Sequence, residues 1–466
     1  MPKSTNRATV STTIPAKPIP KLPNDSVKAV SQKPLTVDVA PAVPPPIPES
    51  ADSPLADDKE TATKPAFPTS LQPSDGLLVV GDAVSDGQFS TLQAACAAAK
   101  NGDIIELRFN GRRMESPFRI ANTKLTIRAA DGFAPVISFA PVDAALAKSS
   151  PAMLTVNGGS LSLINVAVEF AVPRDIGIAG WTLIEVRRPE LVRFERTSLT
   201  IQNAADGGRA FQPNVVFIAI ASNDGSANVG ASAKTATAAR APVVIELQNC
   251  IARGEATFLR VAGGESARIL WDNGLLATSE RLLVAESSST SPIRSRVELD
   301  VRHLTAVVRG GLAWLDFRTN GMDGMLADLR LAGSIVHVGD AAAMIVQLDP
   351  ATSLDLEGTL SWSGDRNFYE GVETFWKRTP ATEPDSGQQL ALANWQSYWG
   401  KSRETLPYLN AVVWQKAPPV DLPICRQVPA DYALSTTSAI NPARDSASDG
   451  LDAGCLSYLL PALPAP

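Results

Sequence analysis

Histidine is almost absent from this sequence, with two in 466 residues. That excludes a zinc centre built on several histidines and leaves little for histidine acid–base chemistry. Cysteine is as sparse, at four, which excludes a disulfide scaffold. No CxxC or other metal-ligand spacing occurs. Cys96 falls in an alanine-rich helical stretch and Cys250 in an apolar strand context, and both read as buried thiols. Cys425 and Cys455 share the C-terminal tail and would pair only in an oxidising compartment, which spacing does not decide. Long apolar runs are also missing. The longest, around Val215–Ala221, is strand-sized, far short of the roughly 18 residues of a membrane span, so no membrane insertion of this chain is expected. The N-terminal stretch has no apolar segment of the kind that makes a secretory signal. The expected location is cytoplasmic by default, or extracytoplasmic if the chain belongs to a longer product with an upstream export signal. A basic excess is lacking too: 42 lysines and arginines face 48 acids, a formal charge of −6, which argues against a nucleic-acid partner.

Proline is plentiful, and it is unevenly placed. Residues 1–75 hold 15 prolines, with eight basic and eight acidic residues and no hydrophobic spacing. PPPIP at Pro44–Pro48 favours polyproline II, and the whole segment reads as a disordered or extended linker. Composition changes at Asp75–Gly76, where GLLVVG opens a strand. QFSTLQAACAAAKNGDIIEL then predicts one short helix. Its N-cap is placed at Ser90, its apolar face on Leu92, Ala95, Cys96 and Ala99, and its stop at Asn101–Gly102. Residues 76–416 form the predicted domain. Residues 417–466 return to proline-rich sequence and predict a tail, either extended along the domain or disordered.

Between these ends the chain is a series of short apolar strands divided by Gly, Asn, Asp and Ser. Five units align at a first turn: IELQNCIA from Ile245, ILWDNGLLA from Ile269, LDVRHLTAV from Leu299, LRLAGSIVHV from Leu329 and LDLEGTLSW from Leu354. Their turn residues, Asn249, Asn273, His303, Gly333 and Gly358, stand 24 to 30 residues apart, and Asn165 and Thr197 fit the same slot earlier. A unit of about 20–30 residues in fixed order marks a solenoid. Two positions before each turn stand Leu247, Trp271, Val301, Leu331 and Leu356, all apolar. The positions on either side of that column are mostly polar, so inward and outward columns separate with period two. Asp300, Arg330 and Asp355 alternate in sign along one outward column, and Asp272 and Arg302 along another. Stacked parallel strands lie roughly 4.8 Å apart, and alternation of sign is what such stacking requires. Three strands per coil predict an all-β fold, a right-handed parallel β-helix of about nine or ten coils. Its open ends need caps. The Ser90–Lys100 helix is expected at one end. At the other, FYEGVETFWKR and LALANWQSYWG are expected, with Trp376, Trp395, Trp399 and Trp414 as a plug.

The segment FSTLQAACAAAKNGDIIELRFNG…PFRIANTKLTIRAADG, residues Phe89–Gly132, resembles the opening of pectin-lyase-like right-handed β-helix proteins. SWSGDRNFYEGVETFWKR…LALANWQSYWG looks like their closing coil. Together with WDNGLLATSERLL and HLTAVVRGGLAWL, these segments are similar to the β-helix region C-terminal to the kinase domain in planctomycete serine/threonine protein kinases. The resemblance covers residues 76–415 and is specific for fold, whereas fold does not fix function. The kinase half has no counterpart here: there is no VAIK-type lysine, no HRD loop and no DFG, and Leu315–Arg318 reads LDFR.

The resemblance implies two kinds of site to look for. A lyase needs an acidic cluster for calcium and a basic residue beside a uronate. Asp272, Asp300, Asp355 and Glu357 share a face with Arg302 and Arg330, and they read either as that site or as an interstrand charge ladder, which the column pattern favours. The densest charged run, Arg187, Arg188, Glu190, Arg193, Glu195 and Arg196, reads as an anionic-sugar surface or as a solvated face. A polygalacturonase-like hydrolase needs a glycine-flanked histidine beside paired aspartates. Neither His303, in the turn slot, nor His337, in a strand, has those glycines, so hydrogen bonding in a turn and a half-buried strand position are expected instead. The predicted function is a non-catalytic binding or scaffold module for a polysaccharide or protein ligand, with no cofactor. The alternative is a lyase or hydrolase acting on uronate polymers, with calcium in the lyase case. The candidate binding residues are Asp272, Asp300, Arg302, Arg330, Arg187 and Arg188.

Overall fold

A computed structural model describes residues 76–464, apart from 83–87, 142–150, 177–179, 206–209, 223–240, 289–293, 319–323, 340–341, 350–357, 381–386 and 438–439. The chain divides into residues 1–69 and 70–466. The first unit, and with it the predicted linker, lies outside the described residues.

The described part is a parallel β-helix. Each coil lays down three strands, as in Lys124–Ala129, Pro135–Phe139 and Ala152–Asn157, and each strand pairs in parallel with its counterpart one coil on. Nine complete coils run from Ile104–Arg108 to Thr374–Pro380, followed by a partial rung at Glu404–Thr405 and Tyr408–Leu409. The three strand positions define a first, second and third face. In Val243–Gly254, Ala267–Thr278 and Arg296–Val308, first and second strands are continuous, bent only at the turn residue.

Period-two alternation explains the core. Ile127, Leu163, Phe194, Leu247, Trp271 and Val301 stand in register on the inner side of the first face and are all buried. In the seven coils from Ser160 onward, the bend between first and second faces is made by one residue in the left-handed region: Asn165, Arg196, Asn249, Asn273, His303, Gly333 and Arg366, with φ from 44° to 56°. Asparagine tolerates that region and glycine is free in it, which is why those types mark the slot in sequence.

Two expected slot members move. The residue stacked between Asn165 and Asn249 is Arg196, not Thr197, because Glu195 pairs with Ile164 and with Gln248. Thr197 is buried one position on, donating its hydroxyl to the Leu163 carbonyl at 3.0 Å. After Gly333 the slot belongs to Arg366, not Gly358, because Ala332 pairs with Asp365. The two registers differ by an even number of residues, so alternation is satisfied by both. Trp362, paired with Leu329, then fills the inner position. Leu354, Asp355, Leu356 and Glu357 lie outside the described residues.

Both ends are capped. At the start, helix α1, Leu92–Ala98, has Thr91 as its N-cap rather than Ser90, with the Thr91 hydroxyl accepting from Ala94 N at 3.1 Å. The buried Glu115 carboxylate accepts from Leu92 N at 2.8 Å, satisfying another open helix amide. At the far end, Gln388–Leu390 pairs antiparallel with Thr374–Pro380 and leads into helix α2, Leu392–Trp399. Trp395 is buried edge-on to Trp362 and Trp376, and Trp399 stacks on Trp376. Trp414 is not part of this plug; it meets Tyr432 edge-on in the tail.

The described residues of 417–464 lie along the solenoid. The reason is in the second face. Its outward column reads Ser198, Ile251, Leu275, Thr305, Ile335 and Phe368, so most of these strands are apolar on both sides and require a cover. Ile424 and Tyr432 pack on Ile251, Leu275, Ala277 and Val307, and Ala443 and Ala453 pack on Ile335 and Phe368. Polar groups beneath this cover are paired: Glu255, fully buried, accepts from Ile424 N at 2.8 Å, and Arg253 donates to the Gln427 carbonyl at 2.8 Å.

Candidate functional site

The first face carries the acids and arginines singled out in sequence. Asp272 stands directly beneath Arg302 in the pairing register, and Asp300 beneath Arg330, as the alternating columns require. Within this group an ion pair runs along a strand, Arg302 Nε to Asp300 at 3.7 Å. One column over, Arg296 bridges Glu298 at 3.0 Å and Asp328 at 2.7 Å, and Arg268 reaches Glu298 at 3.6 Å. Upstream, Glu106 takes Arg108 at 2.7 Å and Arg128 at 2.9 Å. Glu106 is buried, and the other side chains, exposed or half-buried, form a ladder over the sheet. Among the described residues, no three His, Cys, Asp or Glu side chains converge where they could hold a metal ion. Asp355 and Glu357 are outside those residues.

Arg187 and Arg188 sit elsewhere and apart from each other in role. Arg188 occupies a second left-handed turn column, φ 53°, in line with Asn122 and Gly158. Arg187 ends a third-face strand, and its Nε donates to Glu185 at 2.8 Å. Beside it lies a cleft of about 470 Å³, lined by Gln93, Phe118, Arg119, Thr155, Glu185 and Arg187. Arg119, Thr155 and Glu185 are one outward column on three successive rungs. The end of helix α1 supplies Gln93. Arg119 is exposed and has no carboxylate partner among the described residues. This cleft therefore joins Arg187, which is bonded to Glu185, to a second arginine without a carboxylate partner about two rungs, roughly 10 Å, away. The sequence pattern did not single out Arg119, which stands alone in FRIA; only the stacking of FRIA on AMLTVN and TLIEVR brings it to Arg187.

The two histidines are structural in position. His303 fills the turn slot, as expected, and its partners are in the tail: Asp452 O at 3.1 Å from Nδ1 and Asp449 Oδ2 at 2.8 Å from Nε2. His337 is half-buried on the second face, stacked between Val307 and Glu370. The cysteines are free thiols. Burial pushes the Cys250 and Cys96 thiols up to about 12, and that of Cys425 to about 11, so none is a ready nucleophile. In the C-terminal plug the Glu404 carboxyl accepts from the Trp362 indole, from Tyr369 Oη at 3.0 Å and from Trp395 Nε1 at 3.2 Å. Burial pushes it above the usual carboxylate range despite those donors.

No protein-family model and no curated protein matches the chain by sequence. Among solved structures it is similar to a crystal structure of pectate lyase Pel9A, at 10% identity over 82% of this chain and 96% of that one, with a TM-score of 0.34.

Proposed function

We propose that the chain is a non-catalytic β-helix binding module for an extended acidic polysaccharide, held at the third-face cleft. The observation that supports it is that Arg119 and Arg187 both line a cleft of about 470 Å³. Guanidinium groups take carboxylates in bidentate fashion, and a flat ladder of parallel strands presents them at fixed intervals. The first-face residues Asp272, Asp300, Arg302 and Arg330 belong in this reading to a neutralising charge ladder, and Arg188 to a turn. The kinase-associated role implied by the sequence resemblance is part of the same proposal: the module would present its ligand-bearing face beside a catalytic partner. The reading from another class, a lyase or hydrolase on uronate polymers, would use the same cleft with Glu185 and Arg187 at the reacting centre.

One experiment separates them. Polygalacturonate, a neutral glucan and a control protein are offered to the chain in a binding assay, with ultraviolet absorbance followed on the same samples. Binding of the acidic polymer alone, with constant absorbance and constant chain length, is the expected result. Growth of an unsaturated product, or shortening of the polymer, would establish the enzyme reading instead.

A further inference from the structure

We propose that His303 is a pH-sensitive latch for the C-terminal segment: its imidazolium clips residues 449–452 to the turn column, and loss of one proton loosens them. His303 is 8% exposed and held at φ 49°, so the ring's position is fixed by the backbone as well as by packing. It lies between two groups that accept hydrogen bonds. Nδ1 is 3.1 Å from the Asp452 carbonyl oxygen and Nε2 is 2.8 Å from Asp449 Oδ2. A carbonyl has no proton to give, and neither has an ionised carboxylate. Burial pushes the Asp449 carboxyl up, but the hydrogen bonds from His303 and from Leu451 N outweigh it and hold the group below its usual range. Asp449 is then ionised wherever a histidine titrates. A neutral imidazole carries one N–H and satisfies one of these acceptors, while the imidazolium satisfies both.

The other charged groups around the ring do not take over either contact. The Asp452 carboxylate faces away, accepting from Asp445 N at 3.0 Å and standing 3.9 Å from Arg444. On the solenoid side, Arg302 is paired with Asp300, and Arg366 donates to the carbonyls of Ser446 and Ala447, each at 3.3 Å. The next rung offers Gly333, whose missing side chain leaves room for Ala447 and for the edge of the imidazole. The neighbouring tail contacts do not involve titrating groups: Gly454 N donates to Gly333 O at 2.8 Å, Cys455 N to Thr305 Oγ1 at 2.9 Å and Leu456 N to Asn273 Oδ1 at 2.7 Å. Those three amides adjoin the latch and report its state. The sign follows directly: raising the pH removes a donor, so the segment is held more firmly in acid than in base.

Hydrogen exchange of the full chain tests this between about pH 5.5 and about pH 8, the span in which histidines change charge. Protection of the Gly454, Cys455 and Leu456 amides, corrected for the intrinsic pH dependence of exchange, is expected to fall about tenfold across it, the size of one charge-assisted bond. Amides inside Ala267–Thr278 should not change. His303→Asn fits a slot that Asn249 and Asn273 already fill, and it should abolish the slope. Asp449→Asn is expected to abolish it differently, keeping protection at high pH, because an amide can donate to an unprotonated Nε2. A flat profile in the unmodified chain, or an unchanged slope in His303→Asn, would overturn the latch.

Discussion

Arg196 holds a left-handed backbone, φ 44°, between Asn165 and Asn249 in the turn column. An unbranched L residue there costs of order 1 kcal/mol that asparagine, able to bond locally, partly avoids. Asn273 already donates to Asn249 Oδ1 at 2.9 Å, so Arg196→Asn would lengthen an existing ladder. The expected outcome is a gain of about 0.5–1 kcal/mol, read as a raised urea midpoint with unchanged slope. Gly364 is the opposite case. A Cβ at this position would fall on the Glu404 carboxyl, which is itself locked by Trp362, Trp395 and Tyr369. Gly364→Ala should cost about 1–3 kcal/mol and red-shift the tryptophan emission of the plug.

Glu404 also makes stability depend on pH. Its folded carboxyl is shifted upward by burial, so the native state binds the proton more tightly than the unfolded chain. The associated stability is complete below the unfolded carboxylate range, near pH 4, and is lost as pH rises through the folded value. Urea midpoints of the unmodified chain minus those of Glu404→Gln should therefore decline between about pH 4 and neutrality. A difference that rises with pH would mean that the three donors outweigh desolvation.

At the scale of elements, the tail is the informative case. Read alone, 417–466 fits an extended or a disordered tail equally, because its contacts are made by short 3₁₀ turns such as Pro429–Tyr432 that carry no periodicity. The signal lay in the partner instead. Leu275–Ala277, Thr305–Val308 and Ile335–Val338 lack alternation, and a strand apolar on both sides must be covered on both. Ending the chain at residue 416 would uncover Ile251, Leu275, Val307, Ile335 and Phe368, whose burial contributes of order 5–10 kcal/mol before the entropy of ordering the tail is deducted. The shortened chain is expected to bind a hydrophobic dye and to associate, as seen by sedimentation. A monomeric, dye-silent product would show that the tail is dispensable.

On the scale of the whole molecule, the inner columns and the first-face pairing were legible because period two and stacking leave few registers open. The pairings Asp272 with Arg302 and Asp300 with Arg330 follow from aligning the units at their turn residues. What alternation cannot see is an even-numbered slip, and the move of the turn slot from Gly358 to Arg366 is such a slip. Nor does it reveal which outward columns meet a cap. The third-face cleft exists because helix α1 brings Gln93 next to Arg119, and that juxtaposition depends on how the cap sits on the coils.

Calorimetric titration with oligogalacturonate measures binding at this cleft. The unmodified chain is compared with Arg119→Ala, Arg187→Ala and the double variant, all of which change only exposed side chains. Saturable binding that weakens with salt is expected. Each single variant should lose about tenfold in affinity and the double variant all measurable binding, with no unsaturated product formed. Equal affinity in all four proteins, or turnover of the oligosaccharide by the unmodified chain, would contradict it.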